Sequence, residues 1–136
     1  MGKGPLKFKE VARDGMARAC TVSLLHGEIL TPVYMPVGTQ GTLKAITTAQ
    51  ISNLGPRVML SNTFFLNLRP GTDTLDAYQG LHNFSGISTN LLTDSGGFQM
   101  VSLMDLTKVT EEGVEFTSPV DSKRILLTPE ESIRTQ

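Results

Sequence analysis

The chain has 136 residues, 39% hydrophobic and 18% charged, with a net charge of -1 and a pI of about 6.1, which fits a globular fold with one core and excludes a broadly basic surface for nucleic acid or anionic membrane. Cys20 is the only cysteine, which excludes an internal disulfide and a multi-thiolate metal site, and no apolar run approaches the ~18 residues of a membrane span. The N-terminal MGKGPLKFKE is basic without a following apolar segment of signal length, and Leu6 stands where a myristoylation signal needs Ser or Thr, so the chain reads as soluble and cytosolic.

Arg18 to Leu25 alternates imperfectly and predicts a strand, Gly27 allows a turn, and Ile29 to Val37 is rich in β-formers but cut by Pro32 and Pro36. Those prolines make it an edge strand or an extended segment. A helix is predicted from Thr47, where Thr47-Thr48-Ala49-Gln50 has the form of a capping box, and Gly55-Pro56 stops it. Arg57 to Leu60 predicts a short buried strand ending at Ser61-Asn62-Thr63, and Thr72 to Tyr78 a short helix closed by Gly80. Leu91-Leu92-Thr93 is the next strand, with Asp94 at its C-terminal end.

Two strands separated by helical segments, each ending in small polar residues, predict an α/β fold of repeated β/α units with a parallel sheet. Asn62 and Asp94 then share one rim. After Gln99 a hairpin follows: Val114 to Thr117, a turn through Ser118-Pro119-Val120-Asp121, and Arg124 to Leu127. Thr128-Pro129-Glu130-Glu131 is a second capping box with proline at the first helical position. Gln136 falls about two turns into that helix, which reads as the N-terminal piece of something larger.

The stretch NLLTDSGGFQM (Asn90 to Met100) supports two readings. Asp-Ser-Gly-Gly is good turn chemistry whatever the function. Alternatively Gly96 and Gly97 let backbone approach a flat heterocycle, Phe98 stacks on its face, and Asp94 accepts from its ring N–H. His26 beside a turn glycine and His82 in a loop read as solvated or structural, and with a distant Cys20 they make no metal site. Arg69-Pro70-Gly71 reads as a loop anchor and Glu111-Glu112 as a solvated turn pair.

TPVYMPVGTQGTLKAIT (residues 31–47), NTFFLNLRPG (62–71), GLHNF (80–84) and LLTDSGGFQMVSL (91–103) together resemble the tRNA-guanine transglycosylases. The similarity continues through VTEEGVEFTSPVD (109–121) and LLTPEESI (126–133), covering nearly everything after residue 17. MPVGTQGT and FQMVSL are most similar to the eukaryotic catalytic members, which exchange guanine for queuine at the wobble position of certain tRNA anticodons.

The resemblance implies a (β/α)8 TIM-type barrel with an N-terminal antiparallel β-sheet and a late zinc-binding subdomain. A full barrel takes about 250 residues, so residues 1–136 correspond to a partial transglycosylase domain: the opening sheet and first β/α units. By the same resemblance Asp94 is the proton acceptor, and Asp94, Ser95, Gly96, Gly97 and Phe98 bind the base. Asn62 either orients Asp94 or the ribose, or is a strand-end asparagine that closes a turn. The nucleophilic aspartate and the zinc ligands belong to later segments, so no metal or cofactor is expected within these residues and the 136 residues alone are expected to be inactive. Expected partners are tRNA with guanine at the wobble position, queuine, and a non-catalytic paralogue subunit in a heterodimer, in the cytoplasm or at the mitochondrial surface. The sequence departs from the family pattern at Phe64-Phe65, where Tyr-His is usual, and at Ser61 and Ser122, each in place of a glycine. The competing expectation is a non-catalytic interaction module that docks on a partner subunit.

Overall fold

In the computed structural model, which describes residues 6–102 and 107–136, the chain opens with an antiparallel meander of β1 (Lys7–Asp14), β2 (Ala17–Leu24) and β3 (Gly27–Thr31), in the order β1-β2-β3. Met1-Gly2 and Leu103, the end of the FQMVSL string, lie outside the described residues. The sequence gives no warning of β1, because all eight of its residues are exposed and no buried face imprints alternation on KFKEVARD. Cys20 and Ile29 are the buried residues of the meander, and the register places them on one face, Ile29 opposite Val22 and Cys20 two residues before it.

Pro32 ends β3 six residues earlier than an unbroken Ile29–Val37 strand would run. The chain then returns along β4 (Val58–Asn62), where Val37 bridges Leu60 in parallel. Pro36 contributes only its carbonyl, which accepts from Leu60 N–H at 3.0 Å, so its missing N–H costs no hydrogen bond to Leu60, and Gly38 N–H donates to Leu60 C=O at 2.7 Å. On its other side β4 pairs in parallel with β5 (Asn90–Asp94), in register from Val58↔Asn90 to Asn62↔Asp94. Flanked on both edges, β4 is almost wholly buried, and Met59, its second residue, packs with Ile51 and Ile87.

Ile51 comes from α1 (Thr48–Leu54), whose ends form as the sequence predicts. Thr47 Oγ1 accepts from Gln50 N–H, Gln50 Oε1 accepts from Thr47 N–H at 2.8 Å, and Gly55 closes the helix at φ +64°. Three further short helices, α2 (Thr63–Leu68), α3 (Thr72–Ala77) and α4 (Leu81–Ser85), connect β4 to β5. Only α3 is legible beforehand, through the Gly80 that closes it, because helices of five or six residues are too short to show a 3.6-residue period by themselves.

Beyond β5 come α5 (Gly97–Ser102), also unforeseen, and a small antiparallel sheet of β6 (Lys108–Val109), β7 (Val114–Thr117) and β8 (Arg124–Leu127). The expected hairpin is therefore present at its expected bounds. Its apolar face places Phe116 and Leu127 against Phe64 of α2, with the Phe64 and Phe116 rings 5.0 Å apart. Ser122 adopts φ +59° in the hairpin turn, the left-handed backbone that a glycine would take without strain.

The last helix, α6 (Pro129–Thr135), corrects one expectation. Thr128 Oγ1 does accept from Glu131 N–H at 3.1 Å, but the Glu131 carboxylate does not return to the cap. It accepts from Asn67 Nδ2 at 3.4 Å and lies 3.5 Å from Arg134 instead, because α6 docks on α2 and α3 through polar side chains that compete for it. Thr72 and Thr135 hydroxyls meet at 2.7 Å inside that contact, and Arg134 reaches Asp73 and Asp76 at its edge.

The meander is pinned to the start of β5 by Asn90 and a histidine pair. Asn90 Oδ1 accepts from His26 N–H at 3.2 Å, while Nδ2 donates to the Gly27 and Arg57 carbonyls. The His26 and His82 rings stack at 3.7 Å with their planes 8° apart. His82 Nε2 lies 2.9 Å from the Thr89 carbonyl, which can only accept, so that nitrogen carries the proton. Burial lowers the His82 pKa; the Thr89 carbonyl opposes that and the neighbouring His26 adds to it. A histidine harder to protonate when folded contributes stability that is complete above its unfolded pKa of about 6.5 and is lost as pH falls below it. The thermal midpoint should therefore drop as pH is lowered from about 7.5 to about 5.5, and His82→Gln should flatten that slope in pH-dependent melting curves.

Candidate functional site

The last rung of the β4–β5 ladder is the centre of the site. Asn62 ends β4 and also caps α2, so its Oδ1 accepts from Phe65 N–H at 3.2 Å. With the oxygen committed to the helix, the amide NH₂ faces β5, where it donates to Asp94 Oδ2 at 2.8 Å. The other carboxylate oxygen, Asp94 Oδ1, accepts from Gly96 N–H at 2.8 Å and from Thr63 N–H at 3.3 Å. Three N–H donors from two chain segments thus fix a half-buried carboxylate. A carboxylate has about four acceptor directions, which leaves about one on Oδ2 for an incoming group.

Gly96 has its reason inside the protein. It adopts φ +69°, and a Cβ there would stand 2.6 Å from the Phe64 nitrogen and 2.7 Å from the Phe64 Cβ. Its bare backbone rests on α2, whereas Gly97 meets nothing closer than the Ser95 hydroxyl. That hydroxyl accepts from Gly97 N–H at 3.2 Å and closes the turn after Asp94. Phe98 stands at the start of α5 with 77% of its surface exposed, an aromatic face without a cover. The turn reading of NLLTDSGGFQM is therefore present, and the loop carries a fixed acceptor, a hydroxyl and an exposed ring.

Of the predicted residues, Asn62, Asp94 and Gly96 are brought into one hydrogen-bonded and packed cluster, with Ser95, Gly97 and Phe98 continuing the same loop. Asn62 is 6% exposed and spends both ends of its amide on Asp94 and Phe65. Phe64 is the floor beneath Gly96 and Phe65 packs edge-on against it at 5.2 Å, so the Phe-Phe pair serves the core. Ser61 is fully buried and its hydroxyl donates to the Gly38 carbonyl at 2.9 Å, which accounts for a polar residue there. Thr63 was missed; the signal available was a Thr directly after an asparagine with cap chemistry at a strand end.

The remaining candidates stay apart from the rim. His26 and His82 belong to the far end of the strands, Cys20 is buried in the meander, and among the described residues no three His, Cys, Asp or Glu side chains gather as a metal site. These donors do not fit a zinc ion. A cavity of about 330 Å³ lined by His26, Arg57, Ile87 and Asn90 lies where β4 and β5 begin, opposite the Asp94 end. Arg69 anchors its loop through its carbonyl, which accepts from Gln40 Nε2 at 3.5 Å. No helix among the described residues is long and apolar enough to cross a membrane.

A family model described as queuine tRNA-ribosyltransferase matches residues 14–136, which include the whole rim. The chain belongs to the queuine tRNA-ribosyltransferase family. Relatives carrying that same name include proteins from Ralstonia pickettii, 47% identical over 131 residues, from Thioalkalivibrio sulfidiphilus, 50% identical, and from Thiobacillus denitrificans, 50% identical. Each alignment covers 96% of this chain but only 34%, 35% and 36% of the respective relative, so the chain spans about a third of the length of the curated relatives it matches. These relatives are bacterial, and they carry the family assignment without bearing on the eukaryotic likeness of MPVGTQGT and FQMVSL.

Two substitutions test the rim as a family site. Gly96→Ala should destabilise the fold by roughly 2–5 kcal/mol in chemical denaturation, combining left-handed strain with overpacking against Phe64. Asn62→Asp keeps a good helix cap but sets a second carboxylate beside Asp94, at a cost on the order of 1–3 kcal/mol at neutral pH. The repulsion raises the pKa of the carboxylate pair, so the deficit should shrink as pH falls below about 5, where one shared proton restores a donor.

Proposed function

We propose that the complete gene product exchanges guanine for queuine at the wobble position of tRNA, with Asp94 as the proton acceptor. The observation that carries this reading is the Asp94 carboxylate, held by three N–H donors at the C-terminal end of a parallel strand and followed by the exposed Phe98. Membership of the queuine tRNA-ribosyltransferase family supports the substrate class.

Base exchange breaks the C–N bond between sugar and guanine; the departing base takes the bonding electron pair and one proton from solvent, and the proton that Asp94 later gains from the incoming base returns to solvent, so the turnover is balanced. A second carboxylate traps the cation-like sugar in the interval, as in retaining glycosidases; by resemblance this nucleophile belongs to a segment beyond the motifs matched here, and the 136 residues alone are expected to be inactive. The incoming base then presents a ring N–H to Asp94, loses that proton to the free Oδ2 position, and uses the released pair to form the new bond to the sugar. Asn62 keeps Oδ2 turned to that task. Phe98 supplies a stacking face and Gly97 the low backbone beside it, for a nucleotide drawn out of its stack.

In this reading residues 36–39, β4 and β5 are the first parallel strands of a (β/α)8 barrel, whose sites gather at C-terminal strand ends. The zinc ion of the family is held outside the described residues and no step above passes through it. A non-catalytic paralogue subunit, a eukaryotic type of substrate base and a cytoplasmic setting complete the proposal.

The test is incorporation of labelled guanine or queuine into tRNA with guanine at the wobble position, using the complete gene product. Asp94→Asn should lower exchange by at least about 10²-fold while tRNA binding and the circular dichroism spectrum persist. Exchange within about threefold of the unsubstituted protein would remove Asp94 from the chemistry and the reading with it.

A further inference from the structure

We infer that Thr63 is a positioning residue for Asp94, holding its peptide through the hydroxyl and its carboxylate through the backbone amide. The inference rests on the proposed role of Asp94 as proton acceptor. Its starting point is a break in the ladder. β4 and β5 run in register up to Asn62↔Asp94, and a further rung would need a backbone donor from β4 for the Asp94 carbonyl. β4 cannot supply it, because α2 begins at Thr63 and the turn into the helix aims Thr63 N–H at Asp94 Oδ1 instead, 3.3 Å away.

The donor missing from the ladder is replaced by a side chain. Thr63 Oγ1 donates to the Asp94 carbonyl oxygen, so one residue grips both the main chain and the head group of the acid. Thr63 is fully buried, which means that no water can substitute for its hydroxyl and that the carbonyl it serves loses a partner when the hydroxyl is removed. Its branched Cβ narrows the rotamers available to the hydroxyl. Asn62 and Gly96 restrain only the carboxylate oxygens, and the peptide that follows Asp94 is restrained from this side by Thr63. A proton acceptor displaced by about 1 Å loses on the order of 10²-fold in rate, so this hydrogen bond has a catalytic consequence out of proportion to its share in stability.

The experiment compares Thr63→Val, which keeps the shape and removes the donor, with Thr63→Ser, which keeps the donor, in the complete gene product well below its melting midpoint. Thr63→Val should lower kcat for base exchange by roughly 10–100-fold with KM for tRNA within about twofold, and Thr63→Ser should recover most of the loss. In the Asp94→Asn background the valine substitution should have little further effect, since it acts through that carboxylate. A kcat unchanged in Thr63→Val, or losses that multiply with those of Asp94→Asn, would reduce Thr63 to a structural residue and overturn the inference. If Thr63→Val does not fold, Thr63→Ser against Thr63→Cys asks the same question with a strong and a weak donor of similar size: a kcat about tenfold lower for cysteine supports the inference, equal values overturn it. Normal exchange by Asp94→Asn alone would sink the functional reading itself, whereas loss there with a silent Thr63→Val would sink only this inference.

Discussion

Register between β4 and β5 is the constraint on which the rest of the rim depends. A slip by one residue would part Asn62 from Asp94 and turn Met59 out of the core, because side chains alternate faces with a period of two. An asparagine secures each end of the pair. Asn90 at the start exchanges hydrogen bonds with His26 N–H and the Gly27 and Arg57 carbonyls, and Asn62 at the finish does so with Phe65 N–H and Asp94. Both use the same property of the amide, which accepts at one end and donates at the other, so that Asn90 ties three chain segments at a single point and Asn62 ties two.

The rim is therefore an outgrowth of the core. Phe64 lies between the two: its ring packs with Phe116 and Leu127, while its backbone supports the glycine that follows Ser95. Anything that shifts the β7–β8 hairpin on α2 is felt at Gly96 within one side-chain thickness, since packed interiors transmit displacement instead of absorbing it. The α6 helix reinforces the same loop from outside, with Ser132 Oγ donating to the Ser95 carbonyl at 3.4 Å.

Much of this was legible in the sequence where local chemistry and tertiary structure agree. The Thr47 box, the Gly55 stop, both parallel strands, their shared rim and the hairpin each leave a pattern in consecutive residues. What escaped was set by contacts distant in sequence. β1 buries nothing and so carries no alternation, α2 and α4 are too short to carry a period, and Glu131 leaves its cap for Asn67, 64 residues away. The rim itself was legible as a list of residues, but the hydrogen bonds that order it were not, since which end of the Asn62 amide faces Asp94 follows from the helix that begins beside it. Gly96 shows the same limit: its freedom from a side chain was read as room for a ligand, and the atoms that occupy the space belong to Phe64.

Asn62 joins two demands that most proteins can adjust separately. Serine, aspartate and threonine are all serviceable helix caps, yet none of them can accept from the helix and offer an N–H to a neighbouring carboxylate at once. Selection for a firmer α2 and selection for a well-aimed acid therefore act on the same side chain and find the same answer. A serine at this position would keep the cap on α2 and give up the N–H to Asp94, so the two roles cannot be adjusted one at a time here.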